Sequence, residues 1–154
     1  MYRKGYTIKI IIFLGGKIMQ KEIEYNESNY EAESFELILG YIPGYNQGEL
    51  GSQHQYDDVE KFNELYYQIA EKIYRESDIF VTAIIDKSRA IYPGCYQGEK
   101  VYSIRGSRNP EFAKNKEEYR KAVHKVARIL ADILQQTTYS ITWTNCNYNY
   151  FKKQ

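Results

Sequence analysis

Cysteine and histidine are scarce in this chain: Cys95 and Cys146 are the only thiols, and His54 and His124 the only imidazoles. Two cysteines far apart in sequence exclude a disulfide framework and a cysteine-rich zinc site. His54 with Asp57 and Asp58 offers one imidazole and two carboxylates but no second anchoring segment. No metal and no cofactor is therefore expected. His124, between Lys121 and Arg128, reads as a solvated helix residue. The leading apolar run, Ile10–Leu14, is too short for a bilayer span or a signal-peptide core. No membrane partner is expected, and the cytoplasm is the expected location. Gly-x-Ser-x-Gly, His-Glu-x-x-His, a P-loop and a dinucleotide glycine fingerprint are all missing. The balance leans away from an enzyme.

The 154 residues suit one domain with a real core. Hydrophobic residues at 43% and charged residues at 27% are ordinary for a globular chain. Tyrosine, with 17 copies, is the outlier. Its ring and hydroxyl suit binding surfaces, but the chain is also rich in Lys, Ile and Asn, whose codons share the AT bias of tyrosine. The net charge of +1 conceals a split. Residues 19–78 carry 14 acidic against 4 basic side chains, and residues 79–154 carry 13 basic against 6 acidic. Such asymmetry suits an anionic ligand, self-association of opposite patches, or two solvated faces.

Residues 1–18 read either as a translated leader or as an edge strand over Thr7–Leu14. Leu14-Gly15-Gly16-Lys17-Ile18-Met19 back-translates to a purine-rich ribosome-binding sequence placed before an ATG. Residues 19–145 read as a single α+β domain, and 146–154 as a polar tail rich in Tyr and Asn.

Ser34–Ile42 reads as a strand stopped by Pro43-Gly44. Residues 43–56 read as a loop. A helix capped by Asp57 or Asp58 runs to about Ser77, its core face marked by Val59, Phe62, Leu65, Tyr66, Ile69 and Ile73. The β-branched run Ile79–Ile85 predicts a central strand. Ser88–Tyr92 extends that strand or pairs beside it, a loop follows at Pro93–Gly98, and Glu99–Arg105 is another strand. Asn109-Pro110 marks a helix start, with the helix continuing to about Gln136. Thr138–Thr144 alternates cleanly and predicts the last strand. The order β-α-β-β-α-β is that of the ferredoxin-like sandwich, an antiparallel sheet with two long helices on one face, with room for an extra N-terminal strand.

Two segments echo each other. Residues 41–49 read YIPGYNQGE and residues 91–99 read IYPGCYQGE. Both loops could line one rim, or be two ordinary Pro-Gly turns. A second feature is the basic stretch 105–128, where Arg105 and Arg108 precede the helix capped by Asn109. Two guanidinium forks at a helix start suit a phosphate or carboxylate. The expected site therefore joins Tyr45, Gln47, Glu49, Tyr96, Gln97, Glu99, Tyr102, Arg105, Arg108 and Asn109. The tyrosines would stack on a ligand, Gln47 and Gln97 would read polar edges, and the arginines would neutralise charge. RNA recognition is less favoured, because KVYSIRG carries one aromatic, Tyr102, and lacks the RNA-recognition consensus.

The short AT-rich coding sequence, the leader-like start and the missing catalytic motifs are together similar to small accessory proteins of phages and mobile elements. The expected site and the missing catalytic motifs point to a non-enzymatic binding protein for a small anionic ligand, such as a nucleotide signal, and to a homo-oligomer. The alternative is a protein-interaction or inhibitor module whose tyrosine-rich surface binds a partner protein. A third reading is a small hydrolase using Glu49 and Glu99 as a carboxylate pair, or Cys95 with His54 as its base.

Overall fold

A computed structural model describes residues 2–43 and 54–154. Its elements run β1 (Tyr2–Leu14), β2 (Lys17–Gly40), a short 3-10 turn (Gln55–Asp57), α1 (Val59–Ser77), β3 (Ile84–Tyr92), β4 (Cys95–Ser107), α2 (Lys116–Ile133) and β5 (Tyr139–Lys153). The five strands form one sheet in the order β1-β2-β4-β3, with β5 also paired to β2. The pairs β1–β2, β2–β4 and β3–β4 are antiparallel. From β2 onward the order is β-α-β-β-α-β, and the sheet reads β5-β2-β4-β3. That is the ferredoxin-like α+β arrangement read from the sequence.

The chain divides into two compact units, Met1–Ala32 with Asn145–Gln154, and Glu33–Thr144. In the first unit β1 and β2 form a hairpin closed by Gly15 and Gly16, at φ 55° and 76°. Two successive positive φ angles are the geometry of the tight turn that matches strand twist, and glycine adopts it without strain. Residues 146–154, expected as a polar tail, are strand β5 up to Lys153.

In the second unit alternation fixes which strand residues face the helices. Leu37 lies opposite Ile104 and Leu39 opposite Tyr102, and all four are buried. They join Phe62, Tyr66, Ile69 and Ile73 of α1, and Tyr119, Val123, Val126 and Leu130 of α2, in one core. The 3–4 spacing of those helix residues is the spacing of a single buried stripe. Ile141 and Trp143 of β5 pack against the same core.

Several boundaries differ from the sequence reading: β2 begins at Lys17 rather than Ser34, and β4 begins at Cys95, inside the expected loop Pro93–Gly98. Residues 79–83 are not strand, and β3 begins at Ile84 on the sheet edge rather than at its centre. Ile79 and Val81 are nonetheless buried. The apolar run exists because alternate residues enter the core as the chain approaches the sheet, not because a strand is covered on both faces. The second helix starts at Lys116, not at Asn109-Pro110. Asn115 caps it, its Oδ1 accepting from the backbone N–H groups of Glu117 (2.9 Å) and Glu118 (3.1 Å). Asn109 instead closes a separate turn, accepting from Glu111 N–H at 3.0 Å. Two orphan donors depend on Asn115, so Asn115→Ala is expected to cost about 1 kcal/mol in urea unfolding. An unchanged midpoint would show that α2 does not need this cap.

Candidate functional site

Beyond Gly40 the chain leaves β2 through Tyr41 and Ile42, both fully buried. Tyr41 donates its hydroxyl hydrogen to Asp57 Oδ1 at 2.7 Å. Its ring lies 4.9 Å from the ring of Tyr102, which stacks on Phe62 at 3.7 Å and 12°. The Tyr102 hydroxyl donates to the Tyr56 carbonyl at 2.5 Å. Tyr56 stands edge-on to Phe62, and His54 lies within ring contact of Tyr41 and Tyr56. A nest of five rings is thus built from the end of β2, the 3-10 turn, the first turn of α1 and the middle of β4.

Asp57 is the charged centre of this nest. Lys87 of β3 places Nζ 2.9 Å from Asp57 Oδ1 and donates to the Asp57 carbonyl at 2.7 Å. Lys100 of β4 places Nζ 3.3 Å from the same Oδ1. The neighbouring Asp58 caps α1 through Glu60 N–H at 2.9 Å, so the two adjacent acids have different tasks. The Tyr41 hydrogen bond, followed by those of Lys87 and Lys100, holds the Asp57 carboxyl well below the usual carboxylate range. Burial, together with the bond to Asp57, pushes the Tyr41 hydroxyl well above its ordinary value. Burial first, then the charges of Asp57 and Asp58, pushes Tyr102 up to about 12. At neutral pH Asp57 is therefore a carboxylate and both tyrosines are donors. Clustered shifts of this kind are the electrostatic mark of a functional site.

Tyr41, Phe62 and Tyr102 are fully buried and brace the site from the core, while His54 and Tyr56 keep part of their rings open beside one fixed negative charge and two ammonium groups. Aromatic faces take a flat ring or a cation, and ammonium groups take an anion. A ligand with all three characters fits such a site. Asp57 is a poor base here, because its carboxylate is stabilised by three donors; its role is electrostatic. Among the described residues no group of three or more His, Cys, Asp or Glu side chains is placed to hold a metal ion. No described helix is long and apolar enough to cross a membrane.

Of the residues expected from the sequence, Tyr102 lies in this nest. Tyr45, Gln47 and Glu49 lie outside the described residues. Tyr96 is 94% exposed near the tip of the β3–β4 hairpin, and the Gln97 carbonyl accepts from Arg89 at 2.8 Å. Glu99 approaches Gly40 from the opposite sheet face, so close that a Cβ at Gly40 would meet its Oε1 at 2.6 Å. Arg105, also on that face, pairs with Asp86. Arg108 is buried, with Nε 2.6 Å from Glu33 Oε2 and Nη1 2.9 Å from the Ala113 carbonyl. Tyr96 and Arg108 are separated by nearly the whole of β4, roughly 35–40 Å at strand rise. The expected residues thus do not meet at one place.

Asp57 was visible in the sequence only as a helix cap or a metal candidate, and Lys87 and Lys100 were not singled out. The available signal was alternation: Lys87 with Arg89, and Lys100 with Tyr102, each two residues apart on a strand.

The family described as SAM lyase matches residues 45–152. No curated protein matches the chain. Two solved structures share its fold. A phage SAM lyase in complex with S-methyl-5'-thioadenosine has a TM-score of 0.50 and 16% identity, covering 77% of this chain and 88% of its own. A phage SAM lyase in the apo state has a TM-score of 0.51 and 15% identity, covering 78% and 89%.

Proposed function

Since the chain belongs to the SAM lyase family, we propose that it is an enzyme that cleaves S-adenosylmethionine and releases S-methyl-5'-thioadenosine. Membership of a lyase family corrects the expectation of a non-enzymatic binder. The coarser expectation, a small nucleoside-like ligand handled by a phage-type protein, fits within the new reading. The enzyme acts in the cytoplasm, where it would deplete the methyl donor.

The observation that carries the reading at the level of the site is the aromatic nest around Asp57. The substrate is a sulfonium with an adenine ring at one end and an amino acid at the other. The partly open rings of Tyr56 and His54, braced by the buried Tyr41 and Phe62, suit both the adenine plane and the sulfonium charge. A lyase breaks the carbon–sulfur bond with neither water nor an oxidant. The bonding pair leaves with sulfur as a neutral thioether while the substrate's own carboxylate oxygen bonds the carbon that sulfur leaves, closing a lactone, so the positive charge at sulfur disappears during the step. Surroundings less polar than water favour such a loss of charge, because the charged ground state loses more hydration than the transition state does. A ring-lined site bordering the core provides them.

The test is to incubate purified protein with S-adenosylmethionine and follow products by chromatography and mass spectrometry. Stoichiometric S-methyl-5'-thioadenosine, formed catalytically and with no oxygen from labelled water in the freshly released four-carbon amino-acid fragment, is expected. Intact substrate after many enzyme equivalents would sink the proposal. The alternative of a protein-interaction module would then regain weight, with pull-down on the tyrosine-rich surface as its test.

A further inference from the structure

His54 opens the turn that carries Asp57, and it is one of only two imidazoles in the chain. Standing just before the 3-10 turn, it caps that turn with its side chain: Nδ1 accepts from the Tyr56 N–H at 3.3 Å. A ring nitrogen that accepts carries no proton, so the proton of the neutral ring sits on Nε2. The ring lies 6.1 Å from that of Tyr41 and 5.8 Å from that of Tyr56. Tyr41 is fully buried, whereas His54 and Tyr56 are half-buried. The imidazole is therefore part of the open wall of the nest, not of its bracing.

The elements packed around the nest bring charges of both signs. The end of β2 brings Tyr41, the turn brings Asp57 and Asp58, and the first turn of α1 brings Glu60. Lys87 and Arg89 come from β3, and Lys100 and Tyr102 from β4. Asp57 is held as a carboxylate, and Tyr41 and Tyr102 as hydroxyls. Between pH 7.5 and 5.5 an imidazole is the side chain that gains a charge. Protonation of His54 sets a donor against the Tyr56 N–H and ends the cap. The turn does not stand on that bond alone. The Tyr56 carbonyl accepts from Tyr102, the Asp57 carboxylate accepts from Tyr41, and the Asp57 N–H donates to the His54 carbonyl at 2.9 Å. What protonation changes most is the charge on the open wall.

We propose that His54 reads the charge of the ligand: the neutral ring admits the cationic sulfonium, and the protonated ring turns it away while still admitting the uncharged thioether. A neutral aromatic face attracts a cation, whereas an imidazolium beside a sulfonium repels it. The inference rests on the lyase reading and deepens it by naming the residue that couples substrate selection to pH. Substrate and product then respond differently to acid, because only the substrate carries the positive charge at sulfur.

The test follows two quantities of the full chain at about pH 7.5 and 5.5: kcat/KM for S-adenosylmethionine, and Kd for S-methyl-5'-thioadenosine by isothermal titration. In wild type kcat/KM is expected to fall by about tenfold or more, the size of the repulsion between two unit charges several ångströms apart near a protein surface. Kd for the thioether is expected to stay within about threefold, since it meets no such repulsion. His54→Asn puts an amide oxygen in place of Nδ1, which caps the turn without titrating. Whatever its absolute value, kcat/KM of that variant is expected to change by less than about twofold over the same range. Titration of the substrate's own groups appears in both proteins and so cancels. His124→Asn, which removes the other imidazole, is expected to keep the wild-type fall. Melting curves at both pH values show that each protein is folded. A wild-type kcat/KM that does not fall, an equal loss for both ligands, a thioether that never binds, or a fall that survives His54→Asn overturns the assignment. A chain that cleaves no S-adenosylmethionine at either pH overturns the lyase reading itself, so the two failures are told apart.

Discussion

Arg108→Met is expected to destabilise the protein by about 3–5 kcal/mol, more than any surface substitution could. The Arg108 and Glu33 side chains are only 8% and 6% exposed. Arg108 grips Glu33 with two nitrogens, Nε at 2.6 Å and Nη2 at 3.3 Å, and donates to the Ala113 carbonyl. Lys116 adds a contact to Glu33 at 3.6 Å. Removing the guanidinium leaves a carboxylate away from water with one distant cation, which costs far more than the pair itself contributes. The double variant Glu33→Leu/Arg108→Met is expected to recover most of the loss, because no unpaired charge remains. Urea unfolding of the three variants measures this; a single variant as stable as wild type would contradict it.

The same pair sets an acid limb of stability. Burial raises the Glu33 pKa, but the hydrogen bonds and charge of Arg108, helped by Lys116, outweigh it, and the net effect is a lowered value. The folded state then binds the Glu33 proton less readily than the unfolded chain. Its stabilisation is complete above the ordinary glutamate range and is lost as pH falls through the lowered folded value. Wild type should lose stability over that acidic window, and Glu33→Leu/Arg108→Met should lose less. If Arg108→Met folded normally yet lost ligand affinity, the sequence-based role of Arg108 as an anion binder would stand instead.

Asp57→Asn is expected to lower kcat/KM for S-adenosylmethionine by about 10–100-fold while the chain stays folded. Asparagine keeps an oxygen for Tyr41 but removes the charge that gathers Lys87 and Lys100. Charge-assisted bonds contribute about 1.5–3 kcal/mol each, the range of that rate loss. Two ammonium groups without that counterion repel and splay, so the turn that carries His54 and Tyr56 is held less firmly against the rings. Because the Asp57 pKa is lowered in the folded chain, its contribution to stability is complete above the usual carboxylate range and is lost as pH falls from that range through the lowered folded value. Steady-state kinetics with a melting curve for each variant separates the two effects. An unchanged kcat/KM would remove Asp57 from the site.

The helices were legible because each carries one uninterrupted apolar stripe, and the order of elements followed from them. The sheet was less so. Ile79 and Val81 are as apolar and β-branched as any central strand, and nothing local tells that they enter the core as extended chain while β3 lies at the edge. Asn109-Pro110 has the better helix-start chemistry, but Asn115 lies where the helix packs. The site was least legible. Tyr102 was singled out for its ring, yet its neighbours Tyr41, Asp57, Lys87 and Lys100 come from four separate places in the sequence. Register alone brings the two lysines together, and register is a property of strand pairing that no single strand displays. Arg105 and Arg108 looked alike in sequence; parity and burial give one an exposed partner and the other a buried one.

The pairing of β2 with β5 constrains how the chain can be made. Ser34 Oγ reaches the Thr144 carbonyl across 110 positions, and Gln154 N–H reaches the Glu24 carbonyl. Whatever forms early during synthesis, one flank of β2 waits until β5, Tyr139–Lys153, has left the ribosome. Contacts between such distant positions carry a large loop-closure cost and slow the last step of folding. Until then β2 offers an open row of backbone donors and acceptors, the template on which chains join edge to edge. Fast expression at high temperature should therefore favour aggregates over native protein, and slower synthesis in the cold should reverse the ratio.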